Sequence, residues 1–280
     1  MIARSGSGAG SINFEDTKME DHFQIGTSGW SFNSWKGQFY PKDLKAKEWL
    51  PFYAQYFTSV ELNNSFYQLP KLNSVKTWCE STPQDFIFSL KAHRYITHMK
   101  RLNDSKESLD KMLEIFAAFD AKLGPILFQF PPSFSLDLSR LQDFLKHLSR
   151  EYRYTFEFRN KSWFCAAVYA LLEKQHISLC FYDYKNYQAP EILTSDLVYI
   201  RLHGPQQQPY HGSYSRTMLT DYAEKLISWR KQNRHIFCYF DNDEKACAPK
   251  NALYLKEQLT RKQQDLLYLK NMDNGVSHEQ

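Results

Sequence analysis

The chain contains no Cys-x-x-Cys pair, no glycine-rich phosphate loop, no Lys/Arg-rich run and no unbroken apolar stretch of membrane-spanning length. Each absence removes a class of function. The five cysteines, Cys79, Cys165, Cys180, Cys238 and Cys247, are odd in number and scattered. They suggest neither a disulfide framework nor a thiolate zinc site, and they fit a reducing, cytoplasmic setting. Without Gly-x-Gly-x-x-Gly or P-loop spacing, no nucleotide cofactor is expected. The net charge of +4 permits an anionic partner without requiring one. A non-specific nucleic-acid tail would need the basic run that is missing. No membrane association is expected, since the N-terminus also lacks the charged-then-apolar order of a signal peptide.

Aromatic residues, by contrast, make up 16% of the 280 residues and must be buried or face a ligand. Residues 1–20 are small and polar and are expected to be disordered, 271–280 to form a flexible tail, and 21–270 to form one domain without repeats or linkers. From Phe23 onward, eight short apolar runs alternate with helical patterns. The runs are 23–28, 58–63, 86–91, 124–130, one within the stretch 153–163, 177–182, 197–203 and 235–241. Helices are expected near 44–56, 74–81, 106–121, 138–148, 164–175, 219–232 and 251–259, with only a loop between the sixth and seventh runs. This alternation predicts an α/β fold, a single closed (β/α)8 barrel of the TIM type, with a doubly wound open sheet as the lesser option.

The stretch Arg153-Tyr-Thr-Phe-Glu-Phe-Arg-Asn-Lys-Ser-Trp163 is the most informative. With period two, Tyr154, Phe156 and Phe158 share one face and Thr155, Glu157 and Arg159 the other. Ser162 is expected to cap the helix that follows. A carboxylate and a guanidinium in a half-buried strand contribute little net stability, so a site is favoured over a staple. The same parity recurs at the other strand ends: Ser28, Glu61 and Asn63, Ser89 and Lys91, Gln129, Arg201 and His203, Asp241 and Asp243. Asp183, past the sixth run, has ambiguous parity because both faces there are apolar or mixed. In barrels the working groups come from the C-terminal ends of strands.

These ends suggest roles. Glu157 is the first choice for acid–base chemistry, with His203, Glu61 and Asp243 as further catalytic candidates. Lys91, Arg159 and Arg201 are candidates for holding an anion, and Trp30, Asn63, Tyr67 and Gln129 complete the substrate-binding set. Glu157, Asp183, His203 and Asp241 come from four successive strand ends and form an oxygen-plus-imidazole set that would suit a divalent metal ion. Each residue also has a plainer reading: a satisfied core histidine, a solvated basic loop, aromatics that roof the barrel.

Gly26-Thr-Ser-Gly-Trp-Ser31, Trp35-Lys-Gly-Gln-Phe-Tyr-Pro41, Val60-Glu-Leu-Asn-Asn-Ser-Phe-Tyr67, Leu123-Gly-Pro, Gln129-Phe-Pro-Pro-Ser-Phe134, Glu157-Phe-Arg159 and Tyr199-Ile-Arg-Leu-His-Gly204 together resemble the YecE-like family of uncharacterised proteins, from about residue 24 to about 259. The resemblance implies a TIM-type barrel and little about activity. Asp241 stands where that family more often has Asn, and Gln68 where it frequently has Arg. The reading favoured by the residues is an enzyme using carboxylate acid–base chemistry on an anionic or hydroxylated, sugar-phosphate-like small molecule, with isomerase, lyase and hydrolase open. The alternatives are a nucleic-acid-binding or phosphodiester-processing barrel, suggested by the basic third exit loop and its aromatics, and a non-catalytic ligand-binding protein.

Overall fold

Runs of β-branched and aromatic residues that are apolar on both faces form strands buried on both sides, which is the requirement of a parallel sheet covered by helices. A computed structural model of the chain describes residues 23–276. Its strands are β1 (Phe23–Thr27), β2 (Ser59–Leu62), β3 (Ile87–Lys91), β4 (Leu123–Phe130), β5 (Tyr154–Phe158), β6 (Ser178–Tyr184), the two-residue β7 (Tyr187–Gln188), β8 (Leu197–Leu202) and β9 (His235–Phe240). All pair in parallel except β7, which folds back on β6. The β6–β7 turn, Lys185-Asn186, has φ of 53° and 60°, the left-handed pair that a tight hairpin demands. This hairpin takes the place of a helix between β6 and β8, as the loop-only reading of that segment expects.

The helices are α1 (Trp49–Tyr53), α2 (Leu72–Glu80), α3 (Lys106–Ala117), α4 (Leu138–Leu145), α5 (Ala166–Lys174), α6 (Arg216–Lys231) and α7 (Cys247–Val276). In α3 the buried residues Leu109, Met112, Leu113 and Phe116 fall on one stripe at helical spacing. Asp137 and Ser215 start α4 and α6 by accepting the Arg140 and Met218 N–H groups. Ser162 does not cap α5. Asn160 caps the short turn Lys161–Trp163 instead, and Ser162 Oγ accepts from the Leu136 N–H at 2.8 Å. The last helix runs well past the expected 259 and takes in residues 271–276. The expected disordered segment 1–20 and the end of the expected tail lie outside the described residues.

The ladder runs β1-β9-β8-β6-β5-β4-β3-β2, so β1 and β2 are its two ends, and they lie side by side. The ring is completed there through a side chain. The hydroxyl of Tyr53, at the end of α1, accepts the Thr27 N–H at 3.0 Å and donates to the Ser59 carbonyl at 3.0 Å. Gly26 makes room for this seam: a Cβ at that position would stand 2.3 Å from the Ser59 oxygen and 2.9 Å from the Tyr53 hydroxyl.

Strand parity then sorts the side chains. Phe156, Phe158, Ile200 and Leu202 pack in the main core between barrel and helices. A smaller apolar cluster of Leu127, Cys180, Leu197, Tyr199, Phe237 and Tyr239 fills the barrel interior below the mouth. Much of the aromatic excess goes into the outer layer. Trp163 stacks on Phe158 at 4.8 Å and 7°, and Phe158 on Phe130 at 5.0 Å; such pairs add about 0.5–1.5 kcal/mol each beyond area burial. That layer fixes β4 and β5 relative to one another, and so fixes what their inward side chains face.

Candidate functional site at the barrel mouth

The inward residues at the C-terminal strand ends meet in one buried charged layer centred on Arg201. Its Nε donates to both oxygens of Glu61 (3.1 and 3.0 Å) and its Nη2 to Glu61 Oε1 (2.8 Å) and Asp241 Oδ2 (3.1 Å). Its Nη1 donates to Glu157 Oε2 and His203 Nε2, each at 2.9 Å. A guanidinium has five N–H bonds, and all five have acceptors here. Arg201 is therefore the hub of the layer and has no donor left for a ligand.

Glu61 and Glu157 are saturated in turn. Glu61 also accepts from Ser28 Oγ and Tyr199 OH, both at 2.7 Å. Glu157 accepts from Gln129 Nε2 at 2.6 Å and from Arg159 Nε, with the Cys180 thiol 3.9 Å away. Burial would raise the Glu157 pKa, but the charges of Arg159 and Arg201 outweigh it and hold the carboxyl well below the usual range. A carboxylate so fixed in its ionised form, with both oxygens engaged, is a poor proton carrier at neutral pH. Gln129 is likewise occupied in orienting Glu157.

His203 is fully buried and neutral. Burial first, then the positive charges of Arg201 and Arg159, push its pKa well below 6.5. Its Nδ1 lies 2.8 Å from the Asp183 carbonyl oxygen, which requires Nδ1 to carry the proton, so Nε2 accepts from Arg201 and from Arg159 Nη2 at 3.0 Å. Gly204, which follows, is left-handed at φ 106°, and a Cβ there would come within 2.3 Å of the His211 carbonyl. Its N–H donates to Tyr214 OH, and Tyr214 donates to Asp183 Oδ2. Asp183 Oδ1 takes the His203 backbone N–H at 2.6 Å. Burial pushes the Asp183 pKa up to about 6, against the hydrogen bonds of Tyr214 and His203.

Asp183 is thus turned towards Tyr214, with both oxygens occupied, and the His203 Nε2 lone pair points at two guanidiniums. The expected metal set of Glu157, Asp183, His203 and Asp241 does not converge: Arg201 stands where an ion would have to sit. Among the described residues, no group of three or more His, Cys, Asp or Glu side chains is arranged to hold one.

The rim above this layer is less committed. Asp241, whose Oδ2 is also 3.5 Å from His203 Nε2, is pushed up to about 7 by burial, with Arg201 opposing and Glu61 adding to the rise. Asp243, two residues on, is raised well above its usual range by burial and then by Asp241, and its Oδ1 is buried without a hydrogen-bond partner. The same holds for Asn63 Oδ1, just past β2. Lys91, at the end of β3, lies over the Phe66 ring at 4.2 Å; burial and then Arg201 pull its pKa down to about 8, against Glu157, Glu61 and Asp241. The Arg159 guanidinium lies over the rings of Tyr182 (4.3 Å) and Tyr184 (4.2 Å), and its Nη1 has no acceptor among the described residues.

Two expected binding residues are elsewhere. Trp30 packs into the helix layer, edge-on to Trp78 at 5.5 Å and Phe88 at 6.4 Å. Tyr67 is 68% exposed on the rim of the second exit loop. Tyr182, Tyr184, Tyr199 and Tyr214 are missing from the sequence-derived set, although Tyr199 shares the parity of Arg201 and His203 and could have been assigned from it.

Comparison with known proteins agrees with this architecture. A family model described as "Protein of unknown function DUF72" matches residues 24–275. The UPF0759 protein YunF of Bacillus subtilis is 24% identical over 273 residues, 84% of this chain and 94% of that protein. The UPF0759 protein YecE of Escherichia coli K12 is 32% identical over 113 residues, 40% of this chain and 42% of that one. Among solved structures, a DUF72 family protein from Thermotoga maritima superposes with a TM-score of 0.78 at 29% identity, covering 85% of this chain and 99% of that one. A DUF72 family protein from Enterococcus faecalis shares the fold, with a TM-score of 0.73 at 21% identity over 85% of this chain and 95% of its own. With the family model spanning nearly all the described residues, and a barrel of the same form in its solved relatives, this chain belongs to the DUF72 family.

Proposed function

We propose that the protein is an enzyme that binds a small anionic or hydroxylated molecule at the barrel mouth and transfers a proton on it, with Asp241 in the role that strand parity alone gives to Glu157. One observation carries this reading. Two ionisable groups on the rim, Asp241 and Lys91, are brought from opposite directions to about 7 and about 8, where proton exchange at neutral pH is most effective. Lys91 makes no ion pair among the described residues and Asp241 engages Arg201 through Oδ2, whereas Glu61, Glu157 and Arg201 are saturated by their partners. The free Nη1 of Arg159 and the amine of Lys91 suit the anionic portion of a ligand. The unpartnered oxygens of Asn63 and Asp243 suit its hydroxyl groups.

Phosphate soaked into crystals is expected to lie within hydrogen-bonding distance of Arg159 and Lys91; phosphate bound only on the outer surface removes the anion reading. In a turnover screen over sugar phosphates and hydroxy acids, Asp241→Asn is expected to lower the rate by about 10²–10⁴-fold. Undiminished turnover in that variant would remove Asp241 from the role.

Nucleic-acid binding is the second reading. It is favoured by Tyr67, Tyr95 and Met99, which are 68%, 37% and 63% exposed near the cations Arg94, Lys100 and Arg101 of the third exit segment. It predicts oligonucleotide binding that weakens steeply with salt; no binding at low salt removes it.

A further inference from the structure

The poorly exposed amine of Lys122 shows what a structural lysine looks like in this chain and what Lys91 is not. Lys122 Nζ is surrounded by acceptors: the carbonyls of Cys79 (2.6 Å) and Thr82 (2.9 Å) and the Thr82 hydroxyl (3.0 Å). Lysine is almost never buried unless paired in this way. Lys91 is 8% exposed, yet its amine makes no hydrogen bond and no ion pair among the described residues. Its contact is the face of Phe66 at 4.2 Å. His98 packs edge-on to Phe66 at 4.8 Å, and burial and then Lys91 itself push its pKa down to about 4. The strand end beneath is fixed, because Ser65 Oγ donates to the Lys91 carbonyl at 2.7 Å. The result is a rigidly placed, desolvated primary amine at the C-terminal end of a barrel strand, with its lone pair unclaimed.

We propose that Lys91 is a nucleophile that condenses with the carbonyl group of an aldehyde or ketone carrying an anionic group. This inference rests on the reading of the mouth as an enzyme site. The unprotonated amine adds to the carbonyl carbon, forming the C–N bond while the carbonyl π electrons move to oxygen and are protonated there. The carbinolamine hydroxyl then leaves as water, taking a proton from a rim carboxyl, for which Asp241 is the available donor; the nitrogen lone pair closes the C=N bond and the product is a protonated imine. The balance is amine, carbonyl and one proton giving iminium and water, with no change in oxidation state. The anionic group of the substrate takes the free Nη1 of Arg159. The charges nearest the new iminium are those that already act on Lys91: Glu157, Glu61 and Asp241 favour it, and Arg201 opposes it. A lowered pKa leaves a far larger share of free amine at pH 7.5 than an exposed lysine has.

The test uses the full chain with glyoxylate and sodium cyanoborohydride at pH 7.5, followed by peptide mapping by mass spectrometry. Lys91 is expected to be labelled at least about tenfold faster than any exposed lysine, in keeping with its larger free-amine fraction. Glycolaldehyde, which lacks the anionic group, is expected to label it more slowly; equal rates would overturn the anionic part of the substrate class. Labelling spread over surface lysines with Lys91 unmodified overturns the imine. Lys91→Arg keeps the positive charge and removes the nucleophile, so the adduct at position 91 is lost. If phosphate binds the wild type near Arg159 but glyoxylate never modifies Lys91, only the imine fails. If neither occurs, the reading of the mouth as an anion-handling enzyme site fails with it. Should Lys91→Arg not fold, the wild-type peptide map decides alone.

Discussion

Replacing Glu157 by Gln separates a carboxylate that holds the layer together from one that works on a ligand. Glu157 Oε1 accepts from Gln129 and Arg159, and Oε2 from Arg201. Glutamine keeps one acceptor oxygen and replaces the other with NH2, so whichever way it turns, one guanidinium faces a donor. A charge-assisted bond becomes a donor–donor contact, and a positive charge that Glu157 neutralised stays buried. Removing one partner of a buried ion pair costs about 3–5 kcal/mol. At about 2–4 °C per kcal/mol for a domain of this size, the melting temperature should fall by roughly 6–20 °C. The assay is thermal unfolding by circular dichroism at pH 7. The pH dependence has a definite sign: the folded pKa of Glu157 is held below its unfolded value, so its stabilisation is present above about pH 4 and is lost as pH falls further. The gap between wild type and variant therefore narrows below about pH 4. Chelator and added divalent ions should leave both melts unchanged, since Arg201 occupies the space between the carboxylates. A neutral or raised melting temperature in Glu157→Gln, or an ion-dependent gain in wild type that the variant loses, would refute this account.

Three other outcomes are expected. Tyr53→Phe strips the seam of its hydroxyl and leaves the Thr27 N–H and the Ser59 carbonyl buried without partners, at about 1–3 kcal/mol each; urea unfolding measures the loss, and full stability would remove the bridging role. Gly26→Ala drives a Cβ into the Ser59 carbonyl and is expected to cost at least about 1–3 kcal/mol, read from the same urea curves, with an unchanged midpoint counting against the close approach. Asp241→Asn should gain on wild type as pH rises. The folded pKa of Asp241, about 7, is raised above the ordinary carboxylate value, so wild-type stability declines from about pH 4 to about pH 7, where the unfolded chain's carboxyl has ionised while the buried one still holds its proton. Melts at pH 5 and pH 8 should show the larger advantage for the variant at pH 8, and an advantage at pH 5 alone would contradict the sign.

Period-two parity was sufficient to separate Glu157, Arg159, Arg201 and His203 from Phe156, Phe158, Ile200 and Leu202, because side-chain alternation along a strand is a matter of local geometry. It could not show that Arg201 is saturated. Four of its six acceptor contacts come from Glu61 and Asp241, 140 and 40 residues away, and only ring closure brings them together. The position of Trp30 is hidden for a different reason: it follows Gly29, left-handed at φ 112°, where the alternation of the strand no longer sets direction and the packing against Trp78 and Phe88 does. In β6, aromatic residues on both faces hide parity from the sequence, so neither the turn of Asp183 towards Tyr214 nor the packing of the Tyr182 ring on Arg159 is legible there.

The Tyr53 bridge also bears on how the barrel assembles. Elsewhere in the sheet, neighbouring strands can zip together through their own backbones, but β1 and β2 must wait for α1 to deliver a hydroxyl before the Thr27 amide is protected. Closure of the circle is thus contingent on a helix docking event. The deuterium exchange rate of that one amide should report the opening of the ring separately from the unfolding of the rest of the sheet.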